Sequence, residues 1–295
     1  MRTWIEKGVR NWTIYTDYCI DDRTKEYNAI VFTIIPYVDD LNDLRKFIGN
    51  IATSDLKHIR RIDKRFCEFV KSGYVYNVAI VYKKGGDQFI NRGSKTEFMK
   101  HINVVYEAFE KWATNTADQQ LSMKFREVVK KLNFLKQEMR RKSFNLNLFR
   151  SIVLVQSIAA YLMFVLTNQP IRQPDIIAWF SDRDKIVAAY RGIVYDLVWA
   201  NYHNLCDASG LKGSQIAFME HDLHTKNTWV DEVLRIPDYL CGALANRIRF
   251  DDARDKYDDL LELAIADNPY LTIFGLFTEK GVDKVNIISV HRTSA

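Results

Sequence analysis

The chain has 295 residues, 47% of them hydrophobic, which is enough apolar surface for one large domain or two small ones and too much for a disordered chain. A formal charge of +5 with a pI near 8.8 is mildly basic and permits an acidic polymer as partner without demanding one. Cys19, Cys67, Cys206 and Cys241 are scattered with no CxxC pair, so they indicate neither a zinc knuckle nor a disulfide framework and read as reduced thiols of a cytoplasmic protein.

Met1 to Arg10 carries charges without the apolar run of a secretory signal. Trp12–Ile20 and Tyr27–Ile35, rich in aromatic and β-branched residues and separated by a charged turn, predict a hairpin ended by Pro36. From Asp39 to about Lys71 the apolar residues recur at helical spacing, with a break near Thr53-Ser54. Val75–Tyr82 is a nearly continuous apolar strand, closed by a turn at Lys83-Lys84-Gly85-Gly86.

Residues from about Thr96 to Thr167 contain neither Pro nor Gly and predict one long helical block. Within it, Ile152–Leu166 is apolar but interrupted by Gln156 and Ser157; at fifteen residues it is shorter than the roughly 20 a bilayer span needs and reads as a buried core helix. Strands at Asp175–Phe180 and Gln215–Met219 then alternate with helices at about Arg183–Cys206 and Thr228–Arg249. An acidic stretch, Asp251–Asp259, leads into a further helix, and Val285–Val290 is a last strand. The alternation predicts an α/β fold, a mixed sheet flanked by helices, organised as residues 1–95 and 171–295 of core around a helical insertion at 96–170.

Acidic residues recur where predicted strands end. Asp17 closes the first run, Asp182 follows Ile176–Ser181, and Glu220 and Asp222 follow Gln215–Met219. Asp238 stands beside Pro237 in an apolar helical run, with Gly242 four residues on, which turns its face toward a close approach to the sheet. Ligands bind outside the carboxyl ends of strands in open α/β sheets, and several carboxylates there suit Mg²⁺ or Mn²⁺. Each aspartate has a plainer alternative as a turn or cap residue, and Asp182 in particular either ligates metal or caps the helix that follows. Glu220-His221-Asp222-Leu223-His224 is the densest ligand-type cluster, but its order is not the His-Glu-x-x-His of zinc proteases, and it reads equally as a polar loop.

Between Lys124 and Lys142 eight Lys or Arg face two Glu, with Phe125, Phe134 and Phe144 interleaved. Lys130, Lys131, Arg140 and Arg141 in this run are candidates to grip a phosphate backbone, with the phenylalanines as stacking platforms; the alternative is a solvated basic face over a phenylalanine core. A smaller basic run lies at Lys57–Arg65. No P-loop, GxGxxG or GxSxG motif is present.

The order of elements resembles the prokaryotic domain of unknown function 3800 family. That family opens with Tyr-Ile-Asp-Glu-Ser-Gly and closes with a Gln-Leu-Ala-Asp helix followed by Gly-Ala. Tyr15-Thr16-Asp17 matches the opening aspartate, and Asp238 with Gly242-Ala243 matches the closing helix. Tyr18-Cys19 replaces Glu-Ser, and Arg235 stands where the family has Gln.

The resemblance implies an RNase H-like fold and a metal-dependent nuclease that hydrolyses phosphodiester bonds of DNA or RNA. It would use Asp17, Asp222 and Asp238 as Mg²⁺ or Mn²⁺ ligands, Glu220 as an alternative to Asp222, and Asp182 or Asp55 completing the shell. The alternative it leaves open is a non-catalytic accessory protein of a prokaryotic defence or mobile-element system, meeting a protein partner through the helical block. Membrane association has the least support.

Overall fold

The computed structural model describes residues 2–38, 40–84, 93–219, 228–248, 255–279 and 282–291. The turn expected at Gly85-Gly86, the Glu220–His224 cluster, Arg249 and Asp251–Arg254 lie outside the described residues. The chain divides into an α/β unit, Met1–Phe89 with Leu166–Asp182 and Ser214–Ala295, and a helical unit, Ile90–Val165 with Arg183–Gly213.

The α/β unit begins with a short helix α1 (Arg2–Glu6) and the hairpin β1 (Asn11–Cys19) and β2 (Tyr27–Pro36). Two helices follow, α2 (Leu41–Ile51) and α3 (Lys64–Val70), separated by a 3-10 turn at Leu56–His58. Asp40 and Asp63 cap α2 and α3 by accepting the N–H groups of Asn42 and Arg65, which satisfies donors that a helix start leaves unpaired. Strand β3 (Tyr76–Lys83) is next. After the helical unit come β4 (Ile176–Ser181) and β5 (Gln215–Phe218), the strands that bracket that unit's second segment.

The sheet is seven-stranded and mixed, in the order β5-β4-β1-β2-β3-β6-β7, where β6 (Leu271–Glu279) and β7 (Val282–Ile288) form a second hairpin. Strands β1, β2 and β3 run antiparallel in succession, whereas β4 is parallel to β1, β5 to β4, and β6 to β3. Strand β6 has no counterpart in the sequence reading, although buried Ile273 and Gly275 alternate with more exposed neighbours as a strand requires.

The helix expected over Thr228–Arg249 is α8 (Asp231–Asn246), and it lies on β1 and β2. Its apolar residues Val233, Ile236, Leu240, Cys241 and Leu244 enter one core with Tyr15, Val31, Ala79 and Phe180 of the strands and with Ile48 and Phe66 of α2 and α3. A short helix α9 (Lys256–Leu260) begins at a capping box of Asp255 and Asp258 and runs into a π-helical turn, Leu261–Ile265, whose apolar side closes the same core.

In the helical unit the expected single block is three helices, α4 (Lys95–Asn115), α5 (Gln119–Arg140) and α6 (Leu146–Thr167). Polar side chains end and restart them without any Pro or Gly. Asp118 accepts from the N–H of Gln120 and Leu121, and Asn145 Oδ1 accepts from Leu148 N at 3.0 Å. Helix α6 begins at Leu146 and so exceeds the apolar run read from sequence; at 22 residues it is long and apolar enough to cross a membrane by length and composition, with 44% of that stretch buried.

Helix α7 (Lys185–Ala208) is two helices joined by a left-handed turn at Tyr190, Arg191 and Gly192, with φ of 51°, 64° and 71°. Only Gly takes that conformation without strain. Phe144 and Phe149 pack on Tyr190, and Arg191 lies over the Phe134 ring at 4.4 Å, so neighbouring helices hold the turn.

Candidate functional site

Pairing register explains how acids far apart in sequence come onto one face of the sheet. Side chains alternate along a strand, so Asp17 shares a face with Tyr15, which stacks on Phe180 of β4 with ring centroids 5.2 Å apart. Thr16 is opposite Ser181 in the parallel β1–β4 pair, and Asp182 N donates to Thr16 O at 2.9 Å. Asp17 and Asp182 therefore stand side by side at the carboxyl ends of β1 and β4, on the face that α8 covers. Asp17 is opposite Val31, a core residue beneath α8.

Asp238 reaches the same region from α8. It is half-buried, and its Oδ2 accepts the Leu56 N–H at 2.8 Å. Burial pushes its carboxyl up to about 6; the Leu56 hydrogen bond and Lys57 oppose that rise, and the nearby charges of Asp55 and Asp182 add to it. The buried Cys241 thiol is held well above its usual range, by burial first and then by Asp17, Cys19 and Asp238. Its Sγ donates to Ala29 O of β2 at 3.3 Å, which seats α8 on the strands beside Asp17.

The segment between α2 and the 3-10 turn is fixed to α8 residue by residue. Arg235 donates to Ala52 O at 2.7 Å, Tyr239 Oη to Ser54 O at 2.7 Å, and Asp238 takes the Leu56 N–H. Burial, with Asp238 adding to it, pushes the Tyr239 hydroxyl up to about 12, so it stays a donor at every physiological pH. Lys256 Nζ donates to Leu56 O at 2.6 Å and Ile59 O at 3.0 Å from the other side. Gly242 serves this junction and not the sheet: a Cβ there would come within 2.4 Å of Leu56 Cδ2. The close approach expected of the Gly242 face is made to Leu56, while Cys241 faces the strands.

Of the acids singled out from sequence, Asp17, Asp182, Asp238 and Asp55 thus border one region. Asp55 precedes the 3-10 turn, is 55% exposed and lies 3.7 Å from Lys57 Nζ. Asp184, not Asp182, caps α7 by accepting from Ile186 N, which removes the capping alternative for Asp182. Glu220 and Asp222 lie outside the described residues. Among the described residues no group of three or more His, Cys, Asp or Glu side chains is arranged to hold a metal ion. The positions where the resembled family has Glu-Ser hold Tyr18, whose Oη is 2.7 Å from Ser181 Oγ, and Cys19, whose thiol burial pushes up to about 11.

The four basic candidates differ in their surroundings. Lys131 is drawn into a half-buried ion pair with Asp196 of α7 at 3.0 Å. Lys130 pairs with Glu127 and Arg141 with Glu138, each at 2.6 Å on the exposed surface of α5 and its end. Arg140 is exposed with no acid against it among the described residues. Phe125 packs within an aromatic cluster and Phe134 lies under Arg191, so neither stands out from α5 beside the basic residues as a platform for base stacking. Lys57 and Arg65 of the smaller basic run pair locally with Asp55 and Asp63.

Comparison with protein-family models, curated proteins and solved structures found no match to this chain.

Proposed function

We propose that the chain is a metal-dependent, nuclease-like protein of RNase H-like fold that hydrolyses phosphodiester bonds in DNA or RNA. The observation that carries this reading is that Asp17 and Asp182 end adjacent parallel strands β1 and β4 on the face that α8 covers, with Asp238 of α8 close enough to feel the Asp182 charge, although among the described residues these carboxylates are not gathered into a metal-holding group. The strand order supports the fold: β1, β2 and β3 form an antiparallel meander, β4 and β5 continue beside β1 and parallel to it, and β6 and β7 extend the far edge. The carboxylates at this face suit a hard divalent ion such as Mg²⁺ or Mn²⁺, and the neighbouring Cys19 and Cys241 thiols are kept protonated by burial. Asp17 and Asp238 would hold it together with Glu220 or Asp222, and Asp182 or Asp55 would complete the shell. The bound ion would supply a Lewis acid and a water of lowered pKa.

The chain's own residues provide the rest. Burial raises the Asp238 carboxyl to about 6, and a divalent ion bound beside it would oppose that rise and keep the carboxylate ionised as a ligand. The Leu56 N–H and the bonds from Arg235 and Tyr239 to the 52–54 segment fix where that carboxyl points. Arg140, with Lys130 and Arg141 once released from their exposed partners, would contact phosphates.

The second reading, a non-catalytic accessory protein that keeps the fold, is favoured by Tyr18 and Cys19. Tyr18 hydrogen-bonds Ser181 and burial raises the Cys19 thiol pKa, so neither position supplies the acid that the resembled family has there. Mn²⁺ titration by thermal unfolding separates the two. The nuclease reading expects a stabilisation of about 2.7 kcal/mol at a hundredfold excess over Kd, absent in Asp17→Ala and Asp182→Ala. An equal response in wild type and both variants, or none in any of them, favours the accessory protein.

A further inference from the structure

The helical unit holds a second feature, independent of the acidic face. Between the end of α4, the start of α5 and the second half of α7 an open cleft of about 350 Å³ is lined mainly by rings. Trp112 and Asn115 come from α4, Phe125 from α5, and Trp199, His203 and Asp207 from α7. The Trp112 and Trp199 rings meet edge to face, 5.7 Å apart at 78°. Phe125 closes the corner at 5.9 Å from Trp112 and 5.5 Å from Trp199. His203 packs on Trp199 with centroids 4.2 Å apart. Phe109 lies buried behind these rings and supports them, whereas Trp112, Trp199 and His203 are only half-buried.

Ring faces carry negative potential; in the edge-to-face pair one ring's edge covers part of the other's face, and the ring faces left open to the cleft present that potential to it. Asp207, exposed at the rim, is the one charged residue of the lining, and it adds negative charge. His203 does not oppose it: burial pushes the imidazole pKa down, with Asp207 acting the other way, so the ring is neutral at neutral pH. The His203 ring is also held in place, since a Cβ on Gly213 would lie 3.0 Å from it. An anion or phosphate meets the Asp207 charge and the ring faces here, with no cationic side chain in the lining to offset them. A bare ammonium would give up strong hydration to enter a largely apolar cleft, while an alkylated ammonium is weakly hydrated and presents methyl groups to the rings.

We propose that this cleft binds an organic cation carrying a quaternary or alkylated ammonium group, with the Trp112, Trp199 and Phe125 rings as walls and Asp207 as counter-charge. The cation would sit within about 6 Å of the ring centroids, the range over which the attraction is significant.

The test is a titration of the full-length protein, followed by tryptophan fluorescence at constant ionic strength. The probes are choline, Nε-trimethyllysine and the uncharged choline isostere 3,3-dimethylbutan-1-ol. The expected result is saturable binding of the cations, with the isostere weaker by about tenfold or more. Asp207→Asn, a change at an exposed position that the fold tolerates, should weaken choline severalfold, and Trp199→Phe should diminish the fluorescence response. Tighter binding of choline assigns the ligand to free solutes; tighter binding of trimethyllysine assigns it to a methylated side chain. Equal affinity for choline and its isostere, affinity unchanged in Asp207→Asn, or no saturable binding of either cation overturns the proposal.

Discussion

Replacing Asp238 with Asn should stabilise the protein at neutral pH while removing a carboxylate proposed to hold the metal. The carboxyl's ordinary value of 3.8 rises to about 6 in the folded chain, so between these values the folded state holds a proton that the unfolded state has released. Where the folded state binds more protons, stability falls as pH increases; here it falls from about pH 4 to about pH 6 and then levels off. At about 1.4 kcal/mol per pH unit, that interval amounts to about 3 kcal/mol of stability lost to an ionised, half-buried carboxylate. Asn has the same shape, keeps an oxygen to accept the Leu56 N–H, and carries no charge at any pH.

Asp238→Asn should therefore exceed wild type by up to about 3 kcal/mol at about pH 7.5 and match it near pH 4, where Asp238 is itself neutral. Urea unfolding of both proteins across this range measures the difference. A variant less stable than wild type at neutral pH, or a difference that does not change with pH, refutes the assignment of the raised carboxyl to Asp238.

The junction between α8 and the 52–58 segment yields further expectations. Tyr239→Phe removes the bond to Ser54 O and should cost about 1 kcal/mol in the same unfolding assay; no loss would mean that the segment is not held from α8. Gly242→Ala gains about 1 kcal/mol of helix propensity but forces a methyl onto Leu56, which typically costs about 1–3 kcal/mol, so a net loss is expected and Leu56→Val should relieve it. A plain gain in Gly242→Ala would show that Leu56 moves aside freely. In the helical unit, Lys131→Ala removes the ion-pair partner at 3.0 Å from the half-buried Asp196, and should lower stability with little effect on nucleic-acid affinity. Arg140→Ala should leave stability unchanged and reduce the salt dependence of binding by about one phosphate contact in filter-binding assays. The reverse pattern for Lys131 and Arg140 would mean that Lys131 leaves Asp196 to grip the polymer.

Much of the α/β unit can be read from local signals. The β1–β2 hairpin, β3, β4 and α8 each carry a largely apolar pattern that burial follows, and β5 carries a short one although none of its residues is fully buried. Strand β6 carries the pattern too, but Gly275 interrupts the apolar run, and the strand pairs with β3 from almost 200 residues away, beyond any local turn signal. The division of the helical block depends on Asp118 and Asn145, side chains that compete for backbone N–H groups and that a search for Pro and Gly passes over. The left-handed turn at Tyr190–Gly192 leaves the apolar period on either side intact, so periodicity does not register it.

The candidate site was legible as residue types and not as an arrangement. Nothing local to Asp182 says that it adjoins Asp17; the parallel register of β1 and β4 does. The Lys131–Asp196 pair likewise depends on how α5 and α7 pack, which the excess of basic residues along α5 conceals.

The most direct test of the central claim is a cleavage assay on labelled single- and double-stranded DNA and RNA in Mg²⁺, Mn²⁺ or EDTA, with Asp17→Ala, Asp182→Ala and Asp238→Asn beside wild type. The account predicts cleavage of at least one substrate that requires the metal and disappears in all three variants, Asp238→Asn remaining folded. Absence of cleavage under every condition, or cleavage that survives these substitutions, contradicts it.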